Sequence, residues 1–378
     1  MAGGGGATGR GAARLYLDAN ATEPLRPEAR GAATAAFEVL GNPSSIHGEG
    51  RAARRLLEDA REAIAARYGA APREVIFTSG GTEANALAIH GLASGGVVLR
   101  GATEHAAVIA AAGDGAATVP VGPDGRIRLD VLAEMLSMDG VALVCLMLAN
   151  NETGVIHPIA EAAALCRGAG VLLHVDAVQA AGRMPLDLAA LGADSLALSA
   201  HKLGGLPGVG ALLLAPEAAA RLVPLHLGGG QERGRRGGTP PLPGIAAFAA
   251  AAAVALPQDA ERLATLRDAI EAAAIAAGAR VIGAGAPRLP NTTCLALPGV
   301  RSESQVIALD LAGLAVSAGA ACSSGKVTRS HVLEAMGVGA LAGEAIRVSL
   351  PWNAEPAHVT GFAEAYLAMA QRMGRKAA

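Results

Sequence analysis

The sequence is poor in cysteine, in aromatic residues and in charge. Its 378 residues include four cysteines, while aromatic residues make up 2% and charged residues 17%. No two cysteines form a Cys-x-x-Cys pair, so a disulfide framework is not expected in a chain of this length, and we predict a reducing compartment, the cytoplasm. The formal net charge of −2 is not the basic excess of nucleic-acid-binding proteins, so no nucleic-acid partner is expected.

Long apolar runs are also missing. The mean hydropathy is +0.37, but the longest apolar runs, residues 141–149 and 245–256, are shorter than the ~18 residues of a membrane-spanning helix. No membrane partner is therefore expected. Residues 1–14 are rich in glycine and lack the apolar core of a secretory signal, so we predict a disordered tail there.

Short apolar runs alternate with helix-like segments, which predicts an α/β fold with a mostly parallel central sheet. Six such runs cover residues 75–78, 97–99, 141–148, 171–175, 195–198 and 210–214. Polar or ionisable residues come shortly after five of them, namely Thr82, His105, Asn151, Asp176 and Lys202. Because ligands of open α/β sheets bind beyond the carboxyl ends of the strands, this pattern predicts a binding site at that edge.

The second part of the chain predicts a smaller α+β domain. Residues 245–278 read as one long helix, and strands at 292–297 and 345–349 flank a helix at 303–311. We therefore predict a large domain over residues 15–259, whose first residues could pack on the small domain, and a small domain over 260–378. The glycine-rich stretch 228–238 carries three arginines, which predicts a mobile loop able to bind an anion.

Three features at the strand ends have a functional and an ordinary interpretation. Lys202 could form a Schiff base with a carbonyl cofactor, or be a surface lysine. Asp176 could pair with the pyridinium nitrogen of pyridoxal phosphate, or cap a helix. Residues 79–82, Ser-Gly-Gly-Thr, could bind a phosphate at a helix N-terminus, or be a simple cap. Their order along the chain favours one cofactor, pyridoxal phosphate.

Motifs that contain these residues resemble those of the cysteine desulfurases of the NifS/IscS type, in the class V aminotransferase group. The matching segments are YLDANAT (16–22), GNPSSIHGEGR (41–51), FTSGGTEANALAI (77–89), TEHAAV (103–108), NNETG (150–154), HVDAVQ (174–179), SAHKLGG (199–205), GGGQERGRRGGT (228–239), SAGAACSSGK (317–326) and IRVSL (346–350). They follow the family order over most of the chain.

The resemblance implies a fold-type I enzyme that depends on pyridoxal phosphate. Lys202 would form the Schiff base, and His105 would stack on the pyridine ring and assist proton transfer. The other implied cofactor contacts are Asp176 at the ring nitrogen, Asn151 and Gln179 near the ring oxygen, and Gly81, Thr82, Ser199 and His201 at the phosphate. Thr239 would reach the phosphate of a neighbouring subunit, which implies a homodimer. Arg347 would bind the carboxylate of the substrate, L-cysteine, with Asn20 and Asn151 on the same side.

Cys322 is the residue that separates a desulfurase from an aminotransferase. It lies among glycine, alanine and serine with Lys326 nearby, a setting that suits a reactive thiolate. Cys145, Cys166 and Cys294 read as buried structural cysteines. The resemblance implies that Cys322 takes the sulfur of L-cysteine as a persulfide and that the enzyme releases L-alanine. The persulfide sulfur would then pass to an acceptor protein for Fe–S cluster assembly or other sulfur transfer.

No firm metal ligand is predicted, and transient ligation of an Fe–S cluster by Cys322 stays open. Three positions depart from the common family pattern: Glu23 replaces a threonine, Ala320-Ala321 replaces Ser-Ala, and Pro351-Trp352 follows IRVSL in place of a glycine and another residue.

The alternatives to a cysteine desulfurase are a selenocysteine lyase, a cysteine sulfinate desulfinase or a small-substrate aminotransferase of the same fold, or a catalytically idle scaffold that binds a sulfur carrier.

Overall fold

A computed structural model describes residues 14–255, 259–319 and 329–377. The strands are β1 Leu15–Tyr16, β2 Val75–Thr78, β3 Val97–Gly101, β4 Ala117–Val119, β5 Val141–Met147, β6 Leu172–Asp176, β7 Ser195–Ser199, β8 Gly210–Leu214, β9 Arg280–Ile282, β10 Thr292–Ala296, β11 Leu314–Ala315, β12 Ser317–Ala318 and β13 Ala345–Ser349. The predicted tail lies outside these residues except for Arg14, which forms an ion pair with Asp310.

The α-helices lie between and around these strands. They are α1 Pro27–Phe37, α2 Gly48–Tyr68, α3 Gly81–Ala93, α4 Ala106–Ala112, α5 Leu129–Met135, α6 Ile159–Ala169, α7 Leu188–Leu191, α8 Pro216–Arg221, α9 Leu242–Val254, α10 Ala260–Ala276, α11 Ser302–Leu311, α12 His331–Ala335 and α13 Pro356–Ala377. None of the helices within the described ranges is long and apolar enough to cross a membrane.

The central sheet has seven strands in the order β2-β8-β7-β6-β5-β3-β4, and only β8 runs against the others. This confirms the predicted mostly parallel sheet. Helices cover both faces, so successive residues of β5 enter different cores: Leu143 and Cys145 one, Val144 and Leu146 the other. Burial on both faces explains why these strands are apolar along their whole length.

A four-stranded antiparallel sheet, β12-β13-β10-β9, forms a second core with α10, α11 and α13. The chain start belongs to this core: β1 pairs with β11 in parallel, and Leu17 is buried there beside Phe362 and Tyr366. Residues 15–17 therefore pack on the part of the chain predicted as the small domain. The boundaries at residues 259 and 260 stay predictions.

The expected single helix over residues 245–278 is wrong. The structure has two helices, α9 and α10, and Ala255 lies outside helical geometry with φ −77° and ψ 79°. The sequence has Pro257 two residues further on, and proline disfavours a helical conformation in the residue before it. The alanine-rich periodicity concealed this break.

The anion-binding potential of the glycine-rich stretch stays a prediction. Its three arginines pair with carboxylates of the same chain: Arg233 with Glu58, Arg235 with Glu74 and Arg236 with Glu83. Inside the stretch, Glu232 is buried although its φ is +48°, a backbone conformation that costs a non-glycine residue roughly 1 kcal/mol.

A buried ion pair holds Glu232 in this conformation. Arg61 of α2 donates from Nη1 and Nη2 to the two carboxylate oxygens at 2.7 and 2.9 Å, and the backbone N–H of Phe77 donates to the same carboxylate at 2.9 Å. The side chains of Arg61 and Glu232 are only 2% and 3% exposed. The pair therefore anchors the glycine-rich stretch to β2.

We predict that Arg61→Met lowers the free energy of unfolding by about 3–5 kcal/mol, because it leaves the Glu232 carboxylate buried without its partner. Urea denaturation followed by circular dichroism measures the change. Arg55→Met on the same helix is the control: Arg55 is 84% exposed, so its loss should cost less than about 1 kcal/mol. Equal effects of the two variants would contradict this account of the pair.

Candidate active site

A cavity of about 550 Å³ lies at the carboxyl edge of the central sheet. Eleven of the thirteen residues predicted from the sequence line it: Asn20, Gly81, Thr82, His105, Asn151, Asp176, Gln179, Ser199, His201, Lys202 and Arg347. They follow β2, β3, β5, β6 and β7, which run in the same direction, or come from β13 and the chain start. The expected binding site at the strand ends thus exists as a cavity.

Two predicted site residues do not line this cavity. Thr239 is exposed, and Cys322 lies outside the described residues, as do Ala320, Ala321 and Lys326. The roles assigned to all thirteen residues stay predictions.

Asp176, the last residue of β6, is held by two hydrogen bonds. Its Oδ1 accepts the backbone N–H of Val178 at 3.0 Å, and its Oδ2 accepts the side-chain amide of Asn85 at 2.7 Å. Because a carboxylate accepts and does not donate, the Asn85 amide nitrogen must face Asp176. Asn85 is not among the residues predicted from the sequence, although it lies four residues after Gly81 on the same helix.

His174 fixes the other end of the Asn85 amide. Its Nε2 lies 2.8 Å from Asn85 Oδ1, and its Nδ1 lies 2.8 Å from the Ser195 hydroxyl. The amide oxygen can only accept, so Nε2 carries the proton and Nδ1 accepts from Ser195. Burial lowers the pKa of His174 to about 3, which keeps the ring neutral. Ser195, His174 and Asn85 thus form a buried relay that orients Asp176.

Lys202 ends a short 3₁₀ turn, Ala200–Lys202, directly after β7. Its Nζ donates to the backbone oxygens of Asn20 at 2.6 Å and Ala21 at 2.9 Å. The Gln179 side chain donates to the same Asn20 oxygen at 3.0 Å. Lys202 is therefore turned inward, and the interpretation as an ordinary surface lysine does not fit this structure.

The N-terminus of α3 has no capping side chain: Gly80 stands at the cap position. Gly81 must stay small, since an added Cβ would come within 2.6 Å of Val178. Free N–H groups at the start of a helix bind phosphates. Thr82 and Ser199 line the cavity here. The neighbouring Glu83 is neutralised by Arg236 at 2.8 and 3.1 Å.

Arg347 of β13 enters the cavity from the other side. It is 4% exposed, donates to the backbone oxygen of Asn151 at 3.1 Å and pairs with Asp18 at 2.6 Å. The Asn20 amide also donates to the Asn151 oxygen, at 3.1 Å. Asp18 and the Asn151 oxygen therefore hold the guanidinium in position at the cavity wall, and arginine is a side chain that can bind a carboxylate with two parallel hydrogen bonds. Asp18 is not among the residues predicted from the sequence.

His105 precedes α4 and its Nδ1 accepts the backbone N–H of Ala107 at 3.1 Å. This bond fixes the ring at the edge of the cavity and leaves Nε2 as the nitrogen that faces other groups. The preceding Glu104 is buried, and its Oε1 accepts the N–H of Met147 at 2.9 Å. Burial raises the pKa of Glu104 well above its usual value, and its hydrogen bond to Met147 links the residues after β3 to β5.

Cys145, Cys166 and Cys294 are free and buried, as predicted. Burial raises the pKa of all three thiols, for Cys166 to about 12, so none of them is a reactive thiolate at neutral pH. Within the part of the chain that the structure covers, no cluster of three histidine, cysteine or acidic side chains could hold a metal ion.

Glu152 lies against Gly319 and Ser330, which stand on either side of the segment with Cys322. It accepts the hydroxyl proton of Ser330 at 2.6 Å. A Cβ added at Gly319 would lie 2.4 Å from the same carboxylate oxygen. Glu152 follows Asn151 in the chain, so the turn that lines the cavity also contacts residues 319 and 330.

The comparisons with known proteins agree with this fold and this cavity. The model of the aminotransferase class-V family matches residues 15–362, and the chain belongs to this family. Among its relatives, a cysteine desulfurase of Cereibacter sphaeroides is 44% identical over 89% of this chain and 90% of its own. An IscS-like cysteine desulfurase of Mycobacterium tuberculosis is 40% identical over 89% and 91%.

Solved structures agree as well. A NifS-like protein of Rickettsia africae superimposes with a TM-score of 0.87 at 31% identity, covering 95% of this chain and 99% of its own. The predicted family resemblance and the α/β fold are thereby confirmed.

We predict that His157, His174 and His201 stay neutral between about pH 5 and 8, because burial lowers their pKa values to about 4, 3 and 4. Unfolded histidines take up a proton below about pH 6.5, so these three should reduce stability as the pH falls from there. NMR of ¹⁵N-labelled histidines, with signals assigned from variants that replace one histidine by glutamine, measures the pH at which each ring takes up a proton. A midpoint near pH 6.5 for any of the three would contradict the prediction.

Proposed function

We propose that this chain is a pyridoxal-phosphate-dependent cysteine desulfurase. The observation that carries the proposal is the grouping of an inward lysine, an oriented aspartate, a histidine and an uncapped helix N-terminus in one cavity. These groups suit the cofactor: Lys202 for the carbonyl carbon, Asp176 for the ring nitrogen, and the start of α3 for the phosphate. The relatives named cysteine desulfurase support the same reaction.

Each residue has a separate task in this proposal. Arg347 binds the substrate carboxylate, with Asn20 and Asn151 beside it. Asp176 would keep the ring nitrogen of the bound cofactor protonated, and the relay through Asn85 and His174 holds the Asp176 carboxylate in place. Ser199, His201, Thr82 and Gly81 would surround the phosphate, Gln179 and Asn151 would lie near the ring oxygen, and His105 would pack against the ring.

The chemistry requires a proton transfer and a nucleophile. When bound, pyridoxal phosphate supplies an electron sink for the negative charge that develops at the substrate Cα. The Lys202 amine takes the Cα proton and returns it. The Cys322 thiolate attacks the substrate sulfur, the electron pair of the C–S bond leaves with the carbon fragment, and that fragment is protonated and released as L-alanine. The sulfur remains on Cys322 as a persulfide for an acceptor protein, such as an Fe–S scaffold.

We further propose a cytoplasmic homodimer. Exposed Thr239 would be free to reach a second subunit, and Phe37, Leu40, Ile46 and Leu227 are between 72% and 88% exposed, which favours their burial in an interface. The free, unpaired state of Cys145, Cys166 and Cys294 fits a reducing compartment. Sedimentation of a monomer at micromolar concentration would contradict the dimer.

The test of the proposed activity is the release of L-alanine and sulfide from L-cysteine in the presence of a thiol reductant. Wild-type protein should give the two products in equal amounts, and Cys322→Ser should lower both by about two orders of magnitude or more, since it removes the nucleophile. Cys166→Ala, in α6 and away from the cavity, is the matched control and should retain the wild-type rate.

The outcomes separate the alternatives. Full turnover of amino-acid substrates by Cys322→Ser would instead support an aminotransferase. Wild-type protein that binds pyridoxal phosphate and releases no alanine would contradict the desulfurase and direct the assay to selenocysteine and cysteine sulfinate. Wild-type protein that binds no pyridoxal phosphate would support a catalytically idle scaffold.

A further inference from the structure

A second, much smaller cavity lies on the far side of Lys202. Its volume is about 10 Å³, and Glu23, Arg183, Lys202 and Trp352 are among the residues that line it. Lys202 also lines the large cavity, so it borders both spaces. Charges around the small cavity therefore act on Lys202 at short range and with little solvent between them.

Glu23 is buried in this small cavity and joins two parts of the chain. It is 6% exposed, and its Oε1 accepts the backbone N–H of Trp352, just after β13, at 3.2 Å. Its own backbone N–H donates to the oxygen of His201 at 2.9 Å. The Trp352 indole donates to Pro24 at 2.9 Å. Glu23 and Trp352, which belong to two of the three departures from the family pattern, are thus in direct contact.

A chain of hydrogen bonds leads from Arg183, beside Glu23, to Lys202. Arg183 is 5% exposed and donates to the Gln179 side-chain oxygen and to the backbone oxygen of Ala19. The Gln179 amide donates to the Asn20 oxygen at 3.0 Å, and the same oxygen accepts from Lys202 Nζ at 2.6 Å. The Arg183 guanidinium is therefore hydrogen-bonded, through Gln179, to the oxygen that holds the lysine.

The Glu23 carboxyl can change its charge near neutral pH. Burial raises its pKa to about 7, while Arg183, Arg26 and the N–H of Trp352 oppose the rise. Burial also lowers the pKa of Arg183, and Glu23 opposes that change. The charged or titratable side chains that face this region are Tyr16, Arg26, Arg183, Lys202, Asp259 and Arg262.

We propose that Glu23 is a positioning residue that offsets the positive charge of Arg183 and thereby sets the protonation and the place of Lys202. The inference rests on the proposed function, in which Lys202 binds the cofactor. Glu23 acts through Arg183 and Gln179 and through its backbone bond to His201.

The test is Glu23→Gln in the protein loaded with pyridoxal phosphate and free of substrate. Glutamine keeps the shape of the side chain and the acceptor for the Trp352 N–H, and it removes the negative charge. The readout is the pH midpoint of the cofactor absorbance, which reports protonation of the nitrogen that Lys202 contributes. We expect the midpoint to fall by about half a pH unit or more, because Arg183 and Arg26 lose their counter-charge.

Two further variants serve as controls. Glu23→Asp keeps the charge, so its midpoint should stay close to that of the wild type. Glu271→Gln removes a buried carboxylate from Arg288, its partner at 2.6 and 3.1 Å, away from both cavities, and should leave the midpoint unchanged. If Glu23→Gln does not fold, the smaller neutral residue in Glu23→Thr takes its place in the comparison.

The double variant Glu23→Gln/Arg183→Met examines the cause directly. It removes a positive charge together with the negative one, so the midpoint should return towards the wild-type value. Folded Glu23→Gln that titrates like the wild type would overturn the inference, as would Glu23→Asp with as large a shift as Glu23→Gln. Wild-type protein that takes up no cofactor would instead contradict the proposed function, and the inference with it.

Discussion

The common direction of five strands in the central sheet is the constraint on which the rest of the structure depends. Because β2, β3, β5, β6 and β7 run the same way, the polar residues that follow them meet at one edge. The strands themselves are buried on both faces, so polar side chains can be placed only where the strands end. The same strand arrangement therefore produces both the apolar core and the cavity at the carboxyl edge of the sheet.

Polar groups at this edge are buried, and each needs a partner that holds it in a defined position. Asp176 has Asn85 and His174, Arg347 has Asp18, and Lys202 has the Asn20 oxygen. Networks of this kind leave few orientations open to these side chains. Glu23 and Arg183 extend the same principle to the small cavity that Lys202 also lines. There, in the inference above, the negative charge of Glu23 offsets the positive charge of Arg183.

The sequence predicted what depends on local pattern and on strand direction. The parallel strands, their apolar runs and the residues at their ends were predicted because each is encoded within a few neighbouring positions. The partners Asn85, Asp18 and Glu152 were missed because they meet their targets only through the fold, across 91 positions in the case of Asn85 and Asp176. The helix break near Ala255 and the pairing of Arg236 with Glu83 were missed for similar reasons: alanine periodicity conceals a break, and a charge run does not identify its partner.

The central claim is that the cavity at the strand ends holds pyridoxal phosphate on Lys202. Its most direct test is borohydride reduction of the cofactor-loaded protein, followed by proteolysis and mass spectrometry of the peptides. The account predicts a single phosphopyridoxyl group, on Lys202, and none in Lys202→Ala treated in the same way. A label on Lys326 or on another amine, or no label on protein that retains the cofactor, would contradict the account.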